Sequence, residues 1–227
     1  MDIVRNPDMA DAAITPHEPP VIRREDYQPF AWLVPGIALD FDLGLEATRV
    51  VSRLTVARNA KAPTASTIRL NGDGLTLLSV KVDGEMRNDW SLDGDDLIVP
   101  LSGDAHEIEI ATEIDPVANT RLEGLYASNG MLCTQCEAEG FRRIAFFPDR
   151  PDVLSTYRVR MSGSKGQFPI LLCNGNKLAE GEGADGTHWA EWHDPWPKPS
   201  YLFALVAGDL VANSSTFTTM KIGRAHV

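Results

Sequence analysis

The chain has 227 residues, 43% of them hydrophobic, enough to close the core of one all-β domain or two small ones. Lys plus Arg total 21 against 32 Asp plus Glu, a formal net charge of −11, so nucleic acid and anionic membranes are excluded as partners while cationic ligands, a free peptide α-amine among them, are favoured. Three cysteines without framework spacing point to a reducing compartment; no basic segment leads into an apolar run, and no apolar stretch approaches the ~20 residues of a membrane helix. The expected location is cytoplasmic. Residues 1–20 are polar and Pro-containing without a sustained period, and are expected to be a flexible tail. From Ile37 the pattern changes to a two-residue period: Ile37, Leu39, Phe41 and Leu43 share one face, and Val51, Leu54 and Val56 follow after a break. The runs "STIRLNG", "LTLLSVKVDG", "DLIVPL", "HEIEIATEI", "YRVRMSG", "FPILLCNGN", "HWAEWHD" and "YLFALVAGDL" read as further strands. Turn signals separate them at Asn71-Gly72, Asp83-Gly84, Asp93-Gly94, Asn174-Gly175 and Asp185-Gly186. Helical three-and-four spacing is missing throughout. The predicted fold is an all-β antiparallel sandwich, saddle-shaped, occupying residues 21–210. "TFTTM" reads as the beginning of another strand. Residues 221–227 read as a non-native tail, because Ile222–Val227 matches what a common sequencing adapter encodes when translated.

Several residue groups invite a chemical reading. Cys133 and Cys136 form a C-x-x-C pair, which can hold a metal or act as a redox couple. Zinc needs four ligands, and only Cys173 and five scattered histidines remain, so free, partly buried thiols are the default. "HEIEI" at His106 lacks the second histidine of a zinc helix and alternates like a strand. Trp189, Trp192 and Trp196 could form a stacking platform of a self-standing binding module for carbohydrate or protein; packing against a sheet or the corner of Pro195, Pro197 and Pro199 is the plainer reading. No nucleophile arrangement or phosphate-cradling glycine loop is present.

The stretch "CTQCEAEGFRRIAFFPDRPD", Cys133–Asp152, is the densest in polar groups. In an extended strand Gln135 and Glu137 point to one side and Cys136 to the other. A carboxylate with a neutral amide acceptor suits an ammonium ion. On the residues alone, a solvent-facing strand edge is the plainer reading of the pair.

The stretches "LEGLYASNGMLCTQCEAEGFRRIAFFPDRPDVLSTY", "FPILLCNGNKLAEGE" and "DPWPKPSYLFALVAGDL" resemble the N-terminal domain of the bacterial aminopeptidase N family, zinc-dependent gluzincin metallopeptidases. The similarity runs from about Tyr27 to Met220. It implies that Gln135 and Glu137 bind the free α-amino group of a peptide substrate, so that only the first peptide bond reaches the metal. The family's H-E-x-x-H…E helix, its G-x-M-E-N loop and its oxyanion-stabilising tyrosine do not occur here. The resemblance places them in a following catalytic domain, which residues 211–220 would open. On this reading the parent protein uses zinc and releases N-terminal amino acids. This chain is accordingly expected to hold no catalytic residue, to bind no metal and to be inactive by itself. Its expected partners are the substrate N-terminus and the catalytic domain of the same parent chain.

Overall fold

The computed structural model describes residues 23–219 and 223–226; the expected tail at 1–20 lies outside them, as do Lys221, Ile222 and Val227. The strands are β1 (Trp32–Leu43), β2 (Thr48–Arg58), β3 (Thr67–Leu70), β4 (Thr76–Val82), β5 (Glu85–Met86), β6 (Ser91–Asp93), β7 (Asp96–Pro100), β8 (Ala105–Ile114) and β9 (Gly124–Ser128). They continue as β10 (Met131–Gln135), β11 (Ser155–Ser164), β12 (Ile170–Cys173), β13 (Asn176–Glu182), β14 (Thr187–Lys198), β15 (Leu205–Gly208), β16 (Thr216–Thr219) and β17 (Gly223–His226). Among the described residues the helical segments are three single 3-10 turns, Arg24–Asp26, Phe141–Arg143 and Ser200–Leu202.

Eight strands form one sheet in the order β13-β14-β11-β1-β2-β8-β4-β5. Opposite it lie a four-stranded sheet, β12-β15-β10-β9, and a three-stranded sheet, β3-β7-β6, while β16 and β17 pair only with each other. One continuous core joins the layers: Ile37, Leu39, Phe41, Leu54, Ile108 and Val159 from the large sheet meet Ile68, Leu97, Leu132 and Leu205 from the smaller ones. The fold is an all-β sandwich, as the alternation predicts.

Three details correct the sequence reading. The large sheet is mixed rather than antiparallel, because β1 and β11 run parallel over Gly36–Leu43 and Thr156–Gly163. The 111 residues between Leu43 and Ser155 hold β2, β4, β5 and β8 of the large sheet, the whole three-stranded sheet and strands β9 and β10 of the four-stranded one, so the long crossover a parallel pair requires is available. The first strand also begins at Trp32, ahead of Ile37; Pro35 sits where the β1–β2 register shifts, a bulge position at which proline's missing N–H costs no ladder bond. Finally, Val50 and not Val51 faces the core beside Leu54 and Val56. At Asp83-Gly84 the turn is as read: both residues have positive φ, and the β4–β5 pair closes around them.

Candidate functional site

Strand β10 is held between β9 and β15, and its ladder with β9 ends at Gln135 opposite Gly124. Glu137 is therefore not in the strand, which corrects the expectation of one extended segment carrying both polar side chains. The chain turns instead: the Gly140 N–H donates to the Cys136 carbonyl at 2.8 Å, closing the stretch Glu137–Gly140. Gly140 makes this turn possible, because a Cβ there would stand 2.9 Å from the Gly124 nitrogen and 3.0 Å from the Cys136 Cα. The peptide between Glu137 and Ala138 is cis.

The sides on which the residues lie survive the correction. Gln135 and Glu137 are exposed and Cys136 is buried between them. The turn brings the pair into direct contact, with Gln135 Nε2 donating to the Glu137 carbonyl oxygen at 3.1 Å. That bond occupies one side of the amide and leaves Oε1 as an acceptor.

Beneath the turn is a polar network on an aromatic base. Asp149 is only 4% exposed. Its Oδ2 accepts from the Arg142 backbone N–H at 3.2 Å and from Arg142 Nε at 3.1 Å, and its Oδ1 accepts from Ser200 Oγ at 2.5 Å. Arg142 also reaches Glu139, Nη1 to Oε2, at 3.2 Å. Phe141 stacks edge-on against Phe147, Tyr157 and Phe203 at 5.2–6.1 Å between ring centres, fixing the start of the Phe141–Arg143 turn in the core. A cavity of about 280 Å³ opens above, lined by Glu137, Ala138, Glu139, Asp149, Pro151 and Tyr201; Gln135 stands beside it without lining it.

The charge pattern singles out one carboxylate. Arg142 serves Asp149 and Glu139. Among the described residues no Lys, Arg or His pairs with Glu137, so its carboxylate faces the cavity mouth uncompensated. A carboxylate only accepts hydrogen bonds, and Gln135, bonded to the main chain of the same turn, keeps a neutral amide acceptor; together they supply the acceptor types that suit a small cation bearing several N–H donors.

The other suggested chemistries do not assemble. Cys133, Cys136 and Cys173 are free thiols. Burial and the nearby Asp149 charge push Cys136 up to about 12, and burial pushes Cys173 up to about 12, both far from a reactive thiolate at neutral pH. Among the described residues no group of three or more His, Cys, Asp or Glu side chains could hold a metal ion. The tryptophans form no common platform: Trp192 packs on the core, Trp189 lies under Arg160 at 3.9 Å, and Trp196 is 76% exposed. That exposure overturns the expected corner packing for Trp196.

Sequence reasoning did not single out Glu139, Arg142, Asp149, Ser200 or Tyr201. Arg142, Asp149 and Ser200 meet only through tertiary structure, across 51 positions for Asp149 and Ser200. The available signal was the density of charge in "EAEGFRR" beside the apolar pair Phe146-Phe147.

Comparison with known proteins agrees with this architecture. The peptidase M1 N-terminal domain family matches residues 25–202. Aminopeptidase N of Caulobacter vibrioides is 47% identical over 205 residues, covering 89% of this chain and 23% of the relative. Aminopeptidase N of Escherichia coli is 43% identical over 202 residues, with 89% and 23% covered. The crystal structure of Legionella pneumophila aminopeptidase A in complex with aspartic acid superposes with a TM-score of 0.84 at 32% identity, covering 89% of this chain and 24% of that one. An M1 zinc metallopeptidase from Deinococcus radiodurans shares the fold at a TM-score of 0.73 and 17% identity, with 88% and 47% covered. The chain thus spans about a quarter of the length of the curated relatives it matches. The chain belongs to the peptidase M1 N-terminal domain family.

Proposed function

We propose that this domain anchors the α-ammonium of a peptide substrate for a zinc metalloaminopeptidase of which it is the N-terminal part, Glu137 supplying the charge and Gln135 the neutral acceptor. The observation that carries the reading is the unpaired Glu137 carboxylate at the cavity mouth, next to two carboxylates already held by Arg142. An acidic anchor at fixed distance from a hydrolytic centre measures one residue from the peptide N-terminus. Longer peptides bind equally well, while a blocked amine has neither charge nor donors to offer. Zinc would be held by the remainder of the longer protein, since the described residues offer no ligand set. There it would polarise the scissile carbonyl and activate water. Residues 21–210 form the anchoring domain in this reading, and residue 211 onward leads into the catalytic part. The net charge of −11 fits a cytoplasmic peptide-binding protein and disfavours nucleic acid or anionic lipid as partner.

The test compares a peptide with a free α-amine and its N-acetylated form on the longer protein. The free-amine peptide should be hydrolysed and the blocked one should lose roughly 100-fold or more in kcat/KM, the effect of removing a charge-assisted contact. Equal rates would remove the amine from recognition.

A further inference from the structure

One wall of the cavity at Glu137 is a loop, residues 148–152, between the Phe141–Arg143 turn and β11; its Asp149 and Pro151 line the cavity. Two short turns shape the loop. The Arg150 N–H donates to the Pro148 carbonyl at 2.8 Å, and the Val153 N–H to the Arg150 carbonyl at 3.2 Å. The inner half is fixed by Asp149, through Arg142, Ser200 and Asn71. The outer half puts Pro151 and Asp152 at the surface, outside any strand.

What holds the outer half comes from far earlier in the chain. Arg150 sets a two-bond fork on Asp152, Nε to Oδ1 and Nη2 to Oδ2, each at 2.8 Å. The same Nη2 donates to the Gln28 carbonyl at 2.8 Å, 122 positions earlier, and the guanidinium lies 5.6 Å from the centre of the Phe30 ring. Asp152 Oδ2 also accepts from the Tyr27 hydroxyl at 2.8 Å. An ion pair between surface residues two apart needs none of these further partners, and by itself contributes little. The segment it grips is fixed in turn. Asn59, just past β2, donates from Nδ2 to the Phe30 carbonyl at 2.8 Å and from its N–H to the Ala31 carbonyl at 3.0 Å, and β1 begins at the buried Trp32. The loop tip is thus tied to the large sheet.

We infer that Arg150 and Asp152, gripping Tyr27 and Gln28, are positioning residues for the substrate: they hold Pro151 as a wall of the cavity in which Glu137 meets the ammonium. The inference rests on the reading of Glu137 as the amine anchor. Arg150, Asp152, Tyr27 and Gln28 line no part of the cavity and act through Pro151. A carboxylate facing an ammonium gains more where a wall excludes water than on an open rim, because solvent screens the pair less. With the clamp released, Pro151 is free to swing out, water reaches the pair, and the peptide is held more weakly. The hydrolytic step, carried out elsewhere in the longer protein, is untouched, so the loss falls on KM and not on kcat.

Arg150→Gln and Tyr27→Phe open the clamp from its two sides. In the 227-residue chain, hydrogen exchange over residues 148–154 should rise roughly tenfold in Arg150→Gln. Exchange in the β1–β2 ladder should stay as in the wild type, and the melting temperature should fall by no more than about 4 °C. Unchanged exchange at the loop would overturn the proposal. In the longer protein, KM for a free-amine peptide should rise roughly tenfold in Arg150→Gln and roughly threefold in Tyr27→Phe, with kcat within about twofold. The double variant should fall short of the product of the two effects, since both release one clamp. Effects that multiply, or a fall in kcat with KM unchanged, would also overturn it. The two readings fail differently: equal wild-type rates on free and N-acetylated peptide sink the anchor and with it this role for the clamp, while an unaltered KM in Arg150→Gln with the amine still required sinks the clamp alone.

Discussion

Asp149 shows how much of the site depends on a residue that need never touch a ligand. Its carboxylate satisfies the Arg142 main chain, the Arg142 guanidinium and the Ser200 hydroxyl at once, while its own N–H donates to Asn71 Oδ1 at 3.1 Å. Asp149→Ala would leave a largely buried guanidinium and a hydroxyl without their acceptor. The expected loss is about 3 kcal/mol of unfolding free energy, read from urea denaturation. A loss below about 0.5 kcal/mol would mean that solvent replaces the carboxylate freely. Gln135 acts more locally. Gln135→Ala in the longer protein removes a neutral acceptor and the bond to the Glu137 carbonyl, and should lower kcat/KM by about 1 kcal/mol, roughly fivefold, with metal content unchanged. A fall as large as that from removing the Glu137 charge would mean that Gln135 carries the anchor.

At the scale of strands, the two-residue period was enough to find β1, β2, β8, β11 and the inward faces of most of them, because apolar side chains on one side of a pleated strand record burial directly. The pattern failed where local chemistry and pairing diverge. The alternation is legible only from Ile37, because Pro35-Gly36 is a bulge inside β1; "CTQCEAE" reads as continuous strand and turns at Cys136, since Gly140 closes back on it. Parallel pairing of β1 and β11 left no mark, as alternation is the same for either strand direction. Of the site, Gln135 and Glu137 were visible as adjacent polar residues around a buried thiol, and their resemblance to a family motif gave them a role. Arg142, Asp149 and Ser200 were invisible because tertiary packing alone unites them. The polar outer face of the large sheet makes its own prediction. Glu109 accepts from Lys81 Nζ at 2.7 Å and from Arg53 Nε at 2.8 Å, and these bonds, Lys81 first, hold its carboxyl below the ordinary 4.5. A lowered folded value means that the stabilisation is present above the unfolded value and is lost as pH falls through the folded one. Glu109→Gln should therefore cost about 1 kcal/mol at neutral pH and little in the acid range, narrowing the gap between the two proteins below pH ~4. A gap independent of pH would assign the effect to packing.

The whole molecule combines a charged sheet face, an apolar sheet face and, where the second meets the sandwich rim, an unpaired carboxylate. A net charge of −11 opposes self-association, while the apolar row that Tyr126, Cys133, Val206 and Leu172 form across the outer face of the four-stranded sheet favours it. Raising salt screens the first without weakening the second. The 227-residue chain should accordingly associate more at 0.5 M than at 0.05 M salt by analytical ultracentrifugation, and Leu172→Glu should suppress the change; a monomer at both salts would show that the row is too small to matter. The central claim concerns Glu137, and the direct measurement is kcat/KM of the longer protein on a free-amine peptide before and after Glu137→Gln. The substitution keeps the shape of the side chain and removes its charge. Loss of a charge-assisted contact with the substrate ammonium should cost on the order of 2–4 kcal/mol, roughly 30- to 1000-fold in kcat/KM, with zinc content unchanged. Wild-type activity in Glu137→Gln would make this carboxylate an ordinary surface charge and contradict the account.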